Sequence, residues 1–427
     1  MDVRLEARLR VDPTGDPVHV RGRFRDHVAT AATVRARPRR GVVALRPIGS
    51  LVVAAVVVAT VVVLRPLILV PGTSPPPTPS PSPLATVGAG QVQGVVDGWR
   101  SGRGLSVTPG ISVSAVTPGG IATYVAGDLP AGTILVGRIG EVSRLYLSAG
   151  VVVVDRCTRS GNARSCPAPA PGATLTLDDL VARWYPPWPA ADPTTVRDLL
   201  EGTSGLAATG PTIAELAASI AADPGGDWSR DTVLARAISA PRRFAPGTQR
   251  QPVDTEALLL EAILERASGR STDEGIPLEI YPPFSTRFAD EPPEGLQPGV
   301  SATGDPIGDL DPTLLRLLGN AGGMASSSQD LAEYAGTLWA QIGYLDREAV
   351  DLLSDAANGH ANPIAATVIC CDQGAATVIA RTGHAVGWSA VIAYNFATGT
   401  AIGVVVARDL PDGDLLALVN ELAAAVT

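Results

Sequence analysis

The sequence predicts an α/β domain whose sheet is assembled from both ends of the chain around a helical insert, held outside a membrane by one N-terminal helix. Three observations lead there. Strand-like runs lie at Ile111–Val116 and Ile121–Val125 and again at Thr377–Arg381, Ser389–Phe396 and Ala401–Ala407. Between them, from Leu175 to about Leu353, Pro and Gly punctuate helix-length segments. Ahead of everything, Leu51–Leu64 is an unbroken run of apolar residues and Thr. With 427 residues, 45 % of them hydrophobic, the chain can bury a large core, so most of it is expected to fold.

Counting from Pro47 to Val70 gives enough helix to cross about 30 Å of hydrocarbon, and residues 47–70 are read as a transmembrane helix. Arg65 interrupts it near one end, where a long side chain can snorkel to the head groups. Residues 1–46 hold 11 Arg against 5 acids, with Arg35, Arg37, Arg39, Arg40 and Arg46 crowding one flank. The positive-inside bias then keeps residues 1–46 as an Arg-rich cytoplasmic tail and places the rest outside the cell. A cleaved signal peptide is the alternative, but more than forty residues before the apolar run is too long for its basic region. Residues 71–87 are a Pro/Ser-rich linker, extended because Pro71–Pro83 can form neither helix nor sheet.

The exterior domain, residues 88–427, is acidic, which argues against nucleic acid as a partner. Val92–Trp99 reads as a short helix, and Thr117-Pro118-Gly119-Gly120 as the turn of a hairpin. Leu145–Val154 ends in four valines, and propensity alone makes it a buried strand. Thr212–Ala222, Thr232–Ala240 and Thr255–Ala267 are helix-length, and Asp412–Ala425 is amphipathic. Cys157 and Cys166 close a short loop and are read as a disulfide, worth about 2–3 kcal/mol; the partners of Cys370 and Cys371 are left open. Only four His occur, and no spacing matches a metal site, so no metal or cofactor is expected.

Arg138-Ile139-Gly140-Glu141-Val142-Ser143-Arg144 resembles the nucleophile segment of class C β-lactamases and D-alanyl-D-alanine carboxypeptidases, the penicillin-binding family. There the stretch runs Arg-Ile-Ala-Ser-Val-Ser-Lys, and the first Ser of Ser-x-x-Lys attacks a carbonyl. Further similar stretches follow in the family's order: Leu175–Asp179 with Val196–Leu206, Phe244–Thr248, Ala321–Leu331 and Arg381-Thr382-Gly383. The resemblance implies an antiparallel sheet flanked by helices beside a mostly helical lobe, with the site between them. It also implies a central helix at Leu145–Val154, against the propensity reading, and the family's placement is adopted here.

In this chain the nucleophile position is Glu141 and the lysine position Arg144. Guanidinium stays charged and offers no acceptor lone pair, and the chain contains no lysine at all, so the base is missing. Glu141 would lie near a helix N-terminus, which favours an acid, and its spacing from Arg144 permits an ion pair. The family's Tyr-x-Asn motif aligns with Pro252-Val253-Asp254, and Pro252 has nothing to shuttle a proton. Arg381-Thr382-Gly383 stays chemically competent: Arg381 can grip a carboxylate, and Gly383 would let a ligand approach the backbone. His384 reads as a satisfied structural residue. Ser143 and Ser148 are the nearest hydroxyls to the lost nucleophile.

Three functions follow from this reading. The first is a membrane-anchored, catalytically inactive domain that binds a cell-wall peptide or another small carboxylate. The second is a residual serine hydrolase of esters or amides working through Ser143, and the third is an interaction scaffold without a ligand.

Overall fold

The computed structural model describes residues 88–105, 110–117, 119–127, 129, 134–160, 174–208, 213–269, 296–301, 304–339, 367–369 and 378–426. The tail, the apolar segment 47–70 and the linker lie outside these residues, as do Cys166, Cys370 and Cys371. No described helix is long and apolar enough to cross a membrane.

Helix α1 (Ala89–Gly102) precedes the hairpin of β1 (Ile111–Thr117) and β2 (Gly120–Ala126), paired with Thr117 opposite Gly120 where the turn was expected. Short strand β3 (Val136–Arg138) passes through a 3-10 turn at Gly140–Val142 into α2 (Ser143–Ser160). The helical lobe follows as α3 (Val181–Trp184), α4 (Val196–Glu201), α5 (Ile213–Ala222), α6 (Arg230–Ser239) and α7 (Asp254–Ser268). Two short strands, β4 (Gly299–Val300) and β5 (Pro306–Ile307), precede α8 (Pro312–Gly322), β6 (Ala325–Ser327) and α9 (Ser328–Trp339). The chain returns through β7 (Thr367–Ile369), β8 (Val378–Ala385), β9 (Trp388–Asn395) and β10 (Thr400–Val406) to α10 (Asp412–Ala425).

The main sheet runs β2-β1-β10-β9-β8-β7, antiparallel throughout, so the two ends of the chain meet where β1 pairs with β10. One face packs on α1 and α10 through Val92, Val96, Trp99, Leu415 and Leu418. The other face carries α9 and, beyond it, α2 and the helical lobe in the larger core. With both faces covered, β1, β9 and β10 are buried along their whole length, which is why β9 and β10 read as apolar runs rather than alternating ones.

Small side chains set the spacing on the α9 face. Ser112 and Ser114 of β1 both hydrogen-bond the Ser328 hydroxyl, at 2.6 and 2.8 Å. A Cβ on Gly403 of β10 would fall 2.0 Å from the Ser328 carbonyl oxygen, so the N-terminus of α9 lies on bare backbone. The Leu145–Val154 run is helix, not the strand its valines suggest, because it is enclosed on all sides by α7, α8 and the sheet's helical cover. A helix buried all round shows no apolar period to read.

Arg138 is fully buried on β3 and forms a two-pronged pair with Asp309, Nε to Oδ1 at 2.8 Å and Nη2 to Oδ2 at 2.5 Å, while Nη1 donates to the Gly323 carbonyl at 2.8 Å. Charge, fork geometry and backbone are all matched, which is what a buried guanidinium requires. Together with the β3–β6 pairing it ties the first motif to the segment between α8 and α9.

Two further acids are sealed inside α7. Glu261 accepts from the Asn320 N–H at 2.9 Å beneath the kink in α8 at Gly319, and Glu256 accepts from the Ser204 hydroxyl and the Val253 N–H. Burial pushes both carboxyls up to about 7, against the hydrogen bonds that oppose it. Both groups are therefore protonated when folded, yet ionised when unfolded, between their ordinary value of 4.5 and about 7. Stability should fall as pH rises through that window, by about 3 kcal/mol per group at most, and level off above it. Urea unfolding from pH 4.5 to 8 should show this slope, and Glu261→Gln should remove its share; an unchanged slope in the variant would assign it elsewhere.

Candidate functional site

Two glycines bring the first and third motifs into backbone contact. Gly140 has φ +49°, and a Cβ there would lie 2.1 Å from the His384 carbonyl oxygen. Gly383 on β8 faces back at the turn, where a Cβ would lie 2.1 Å from the Ile139 carbonyl oxygen and 2.6 Å from the Val142 nitrogen. Only residues without a Cβ allow strand and turn to approach this closely. The approach lets Glu141 Oε2 accept the His384 backbone N–H at 2.6 Å. The space at Gly383 expected to admit a ligand is thus occupied by the chain's own turn.

Arg144 does not pair with Glu141, as their spacing permitted. It is buried at the start of α2, and its Nη2 donates to Asp254 Oδ1 while its Nε donates to the Ala321 carbonyl at 3.2 Å. The two side chains are only 9 % and 17 % exposed, so this is an interior ion pair. Helix geometry explains the choice. Glu141 belongs to the 3-10 turn and points across to β8, whereas Arg144 sits in the first α-turn and faces α7. Asp254 opens α7; burial raises its pKa, with Glu141 adding to the rise and Arg144 opposing it. Pro252, two residues earlier, is exposed and contributes no polar side-chain group.

Arg381 stands two residues before Gly383, on the same face of β8. It keeps some exposed surface, although its Nε is shut off from solvent. Burial, then the neighbouring Arg144, lowers its pKa to about 10, while Glu141, Asp412 and Asp254 pull the other way. It therefore stays charged near neutrality, with acids already around it. Thr382, partly exposed, hydrogen-bonds Asp412.

His384 is satisfied through two partners. Its Nε2 lies 2.8 Å from Asp412 Oδ1 at the start of α10, and its Nδ1 lies 3.3 Å from the Ser389 hydroxyl. Burial alone would lower its pKa, but the Asp412 hydrogen bond and the charges of Glu141, Asp412 and Asp409 raise it overall. The same hydrogen bond holds Asp412 down at about 2. Ser389, His384 and Asp412 thus form a hydroxyl–imidazole–carboxylate chain that the sequence reading did not find. Ser389 is fully buried and its Oγ also accepts the Leu410 N–H at 2.9 Å, so a substrate carbonyl has no path to it. Ser143 and Ser148 are likewise fully buried, and neither hydroxyl has a hydrogen-bond partner among the described residues. A nucleophile needs both access and a base; Ser389 has the imidazole but no access, and Ser143 and Ser148 have neither.

A depression of about 410 Å³ lies in the helical lobe, lined by residues such as Ala207, Trp228, Val233, Arg236 and Ala240, and includes none of the motif residues. Among the described residues no group of three or more His, Cys, Asp or Glu is placed to hold a metal. Cys157 in α2 is disulfide-bonded, and its expected partner Cys166 is outside the described residues.

Gly383→Ala should therefore destabilise the domain by about 3 kcal/mol or more, because its Cβ would meet backbone that cannot swing aside. Arg144→Met should cost about 3–5 kcal/mol by leaving Asp254 uncompensated, and the Arg144→Met/Asp254→Asn pair should recover much of that loss. Urea unfolding of both single variants and the double variant measures both effects; a double-variant loss equal to the sum of the two single losses would show that the pair is not coupled.

A beta-lactamase family model matches residues 170–425, more than half of the chain. Comparison with curated proteins gives no match. Among solved structures, the D-amino acid amidase from Ochrobactrum anthropi SV3 complexed with L-phenylalanine amide is similar at TM-score 0.60 and 18 % identity, over 79 % of this chain and 99 % of that one. A class C beta-lactamase gives TM-score 0.60 and 16 % identity, over 79 % of this chain and 96 % of that one. The octameric penicillin-binding protein homologue from Pyrococcus abyssi gives 0.61 and 19 %, over 79 % and 78 %. At such identities the likeness is one of fold: an α/β architecture with an antiparallel sheet and flanking helices. Together with the ordered motifs and the sheet closed between the two chain ends, the family match makes the conclusion plain: the chain belongs to the beta-lactamase family.

Proposed function

We propose that this chain is a membrane-anchored member of the family that has given up acyl transfer and serves as an interaction scaffold outside the membrane. The observation that carries this reading is the place of Glu141: a carboxylate stands at the nucleophile position, hydrogen-bonded to the His384 amide. Proton accounting supports it. Arg144 is committed to Asp254 and Ala321, position 252 is Pro, and the chain contains no lysine, so none of these positions gives Ser143 or Ser148 a base, and Ser389, which has the His384 imidazole, is fully buried.

The anchor is argued from the apolar segment 47–70 and the arginines before it, whose positive-inside bias supports a far-side position for residues 88–427. A cell-wall peptide or another small carboxylate, the ligand expected at Arg381, Thr382 and Gly383, would have to displace Glu141 from His384. It would also compete for Arg381 with Glu141, Asp254 and Asp412. That cost favours the scaffold over a ligand-binding cleft. Residual hydrolysis through Ser143 has the least support, since that hydroxyl is fully buried.

The full chain in detergent, incubated with a fluorescent penicillin and with a fluorophosphonate, should give no covalent adduct by intact mass. A stable adduct on any serine would overturn the proposal. Nitrophenyl-ester turnover should stay at background and be unchanged by Ser143→Ala; turnover lost in that variant would establish the hydrolase instead.

A further inference from the structure

We propose that Glu141 is a tethered ligand: from inside the chain, its carboxylate fills an anion site built on the backbone N–H of His384 with Arg381 beside it, and keeps out external carboxylates. The inference deepens the reading of an inactive site and rests on it.

The His384 N–H belongs to β8 and donates not to the sheet but to a carboxylate 243 residues away in sequence, at 2.6 Å. That donor is reachable because strand and turn are in backbone contact at Gly140 and Gly383. The contact comes from main chain, so it does not depend on which side chain occupies position 141. Truncating Glu141 would leave a backbone donor facing a space the size of a carboxylate, with the Arg381 guanidinium on the same strand. An amide donor beside a guanidinium is complementary to a small monocarboxylate. In the intact chain the tethered group needs no encounter, and its effective concentration exceeds that of free ligand.

The test uses the full chain labelled with ¹⁵N-histidine, which gives at most four backbone amide signals because the sequence contains four His. His384→Gln assigns the one from position 384. In Glu141→Ala that signal should move upfield with loss of the carboxylate. Added acetate should return it downfield in a saturable manner, whereas chloride at the same ionic strength should not. The unsubstituted chain should not respond to acetate, nor should Glu141→Gln, whose amide oxygen still accepts the bond.

No acetate response in folded Glu141→Ala would overturn the proposal, as would an equal response in the unsubstituted chain. Should Glu141→Ala fail to fold, Glu141→Gln decides: its His384 amide signal must lie upfield of its place in the unsubstituted chain, because a neutral acceptor replaces the carboxylate, and an unchanged position refutes the tether. Failure here is separable from failure of the inactive-site reading, because a serine adduct or Ser143-dependent ester turnover refutes that reading, whatever acetate does.

Discussion

The approach of β8 to the turn before α2, backbone against backbone at Gly140 and Gly383, is the constraint on which the site depends. Each glycine would place a Cβ 2.1 Å from an oxygen of the opposing chain, so neither can change without parting the two elements. Parted, the His384 amide would lose its carboxylate, and the start of α2 would no longer hold Arg144 against Asp254. The same contact links the halves of the molecule. The turn continues β3, which pairs with β6, and β8 belongs to the sheet closed by β1 and β10.

Around that contact the charges are arranged to satisfy each other. Arg144 and Arg381 face Glu141, Asp254 and Asp412, and His384 is bound to the last of these. Placing one of these charges inside without partners would cost several kcal/mol. Arginine in place of lysine suits the arrangement, because one planar fork serves both the Asp254 carboxylate and the Ala321 carbonyl, two acceptors in different elements. Guanidinium offers no acceptor lone pair for general-base work, and the same planar fork makes it a better clamp than an ammonium. Arg138 does the same a few residues earlier, holding Asp309 and the Gly323 carbonyl from a fully buried position.

Much of the fold was legible because its signals are local. The β1–β2 hairpin followed from Pro and Gly between alternating runs, and the sheet built from two ends followed from where strands stopped and resumed. The site was legible in part. Motif order located Glu141, Arg144, Asp254 and Arg381, yet the Arg144 partner was misread, since a neighbour three residues away is visible in sequence and one 110 residues away is not. Ser389 and Asp412 were missed for a similar reason. Each is an ordinary residue at a strand or helix start, and only the closing of β8, β9 and α10 brings them to His384. The valine run of α2 misled propensity because enclosure on every side, not its own preference, decides its state.

A fold that loses its chemistry is expected to lose its conflicts first. An acyl-transfer site needs a reactive hydroxyl, a neutral base and room for substrate, all of which leave polar groups under-satisfied in the resting protein. In the proposed scaffold such conflicts are replaced by matched groups, Arg144 with Asp254 and Glu141 with the His384 amide. The Ser143 and Ser148 hydroxyls remain, buried and without partners among the described residues. They lie on α2 two and seven residues after Glu141, close to the charged centre but outside its pairs. The charged centre is thus internally matched, while the Ser143 and Ser148 hydroxyls beside it are buried out of hydrogen-bond reach of any base described around them.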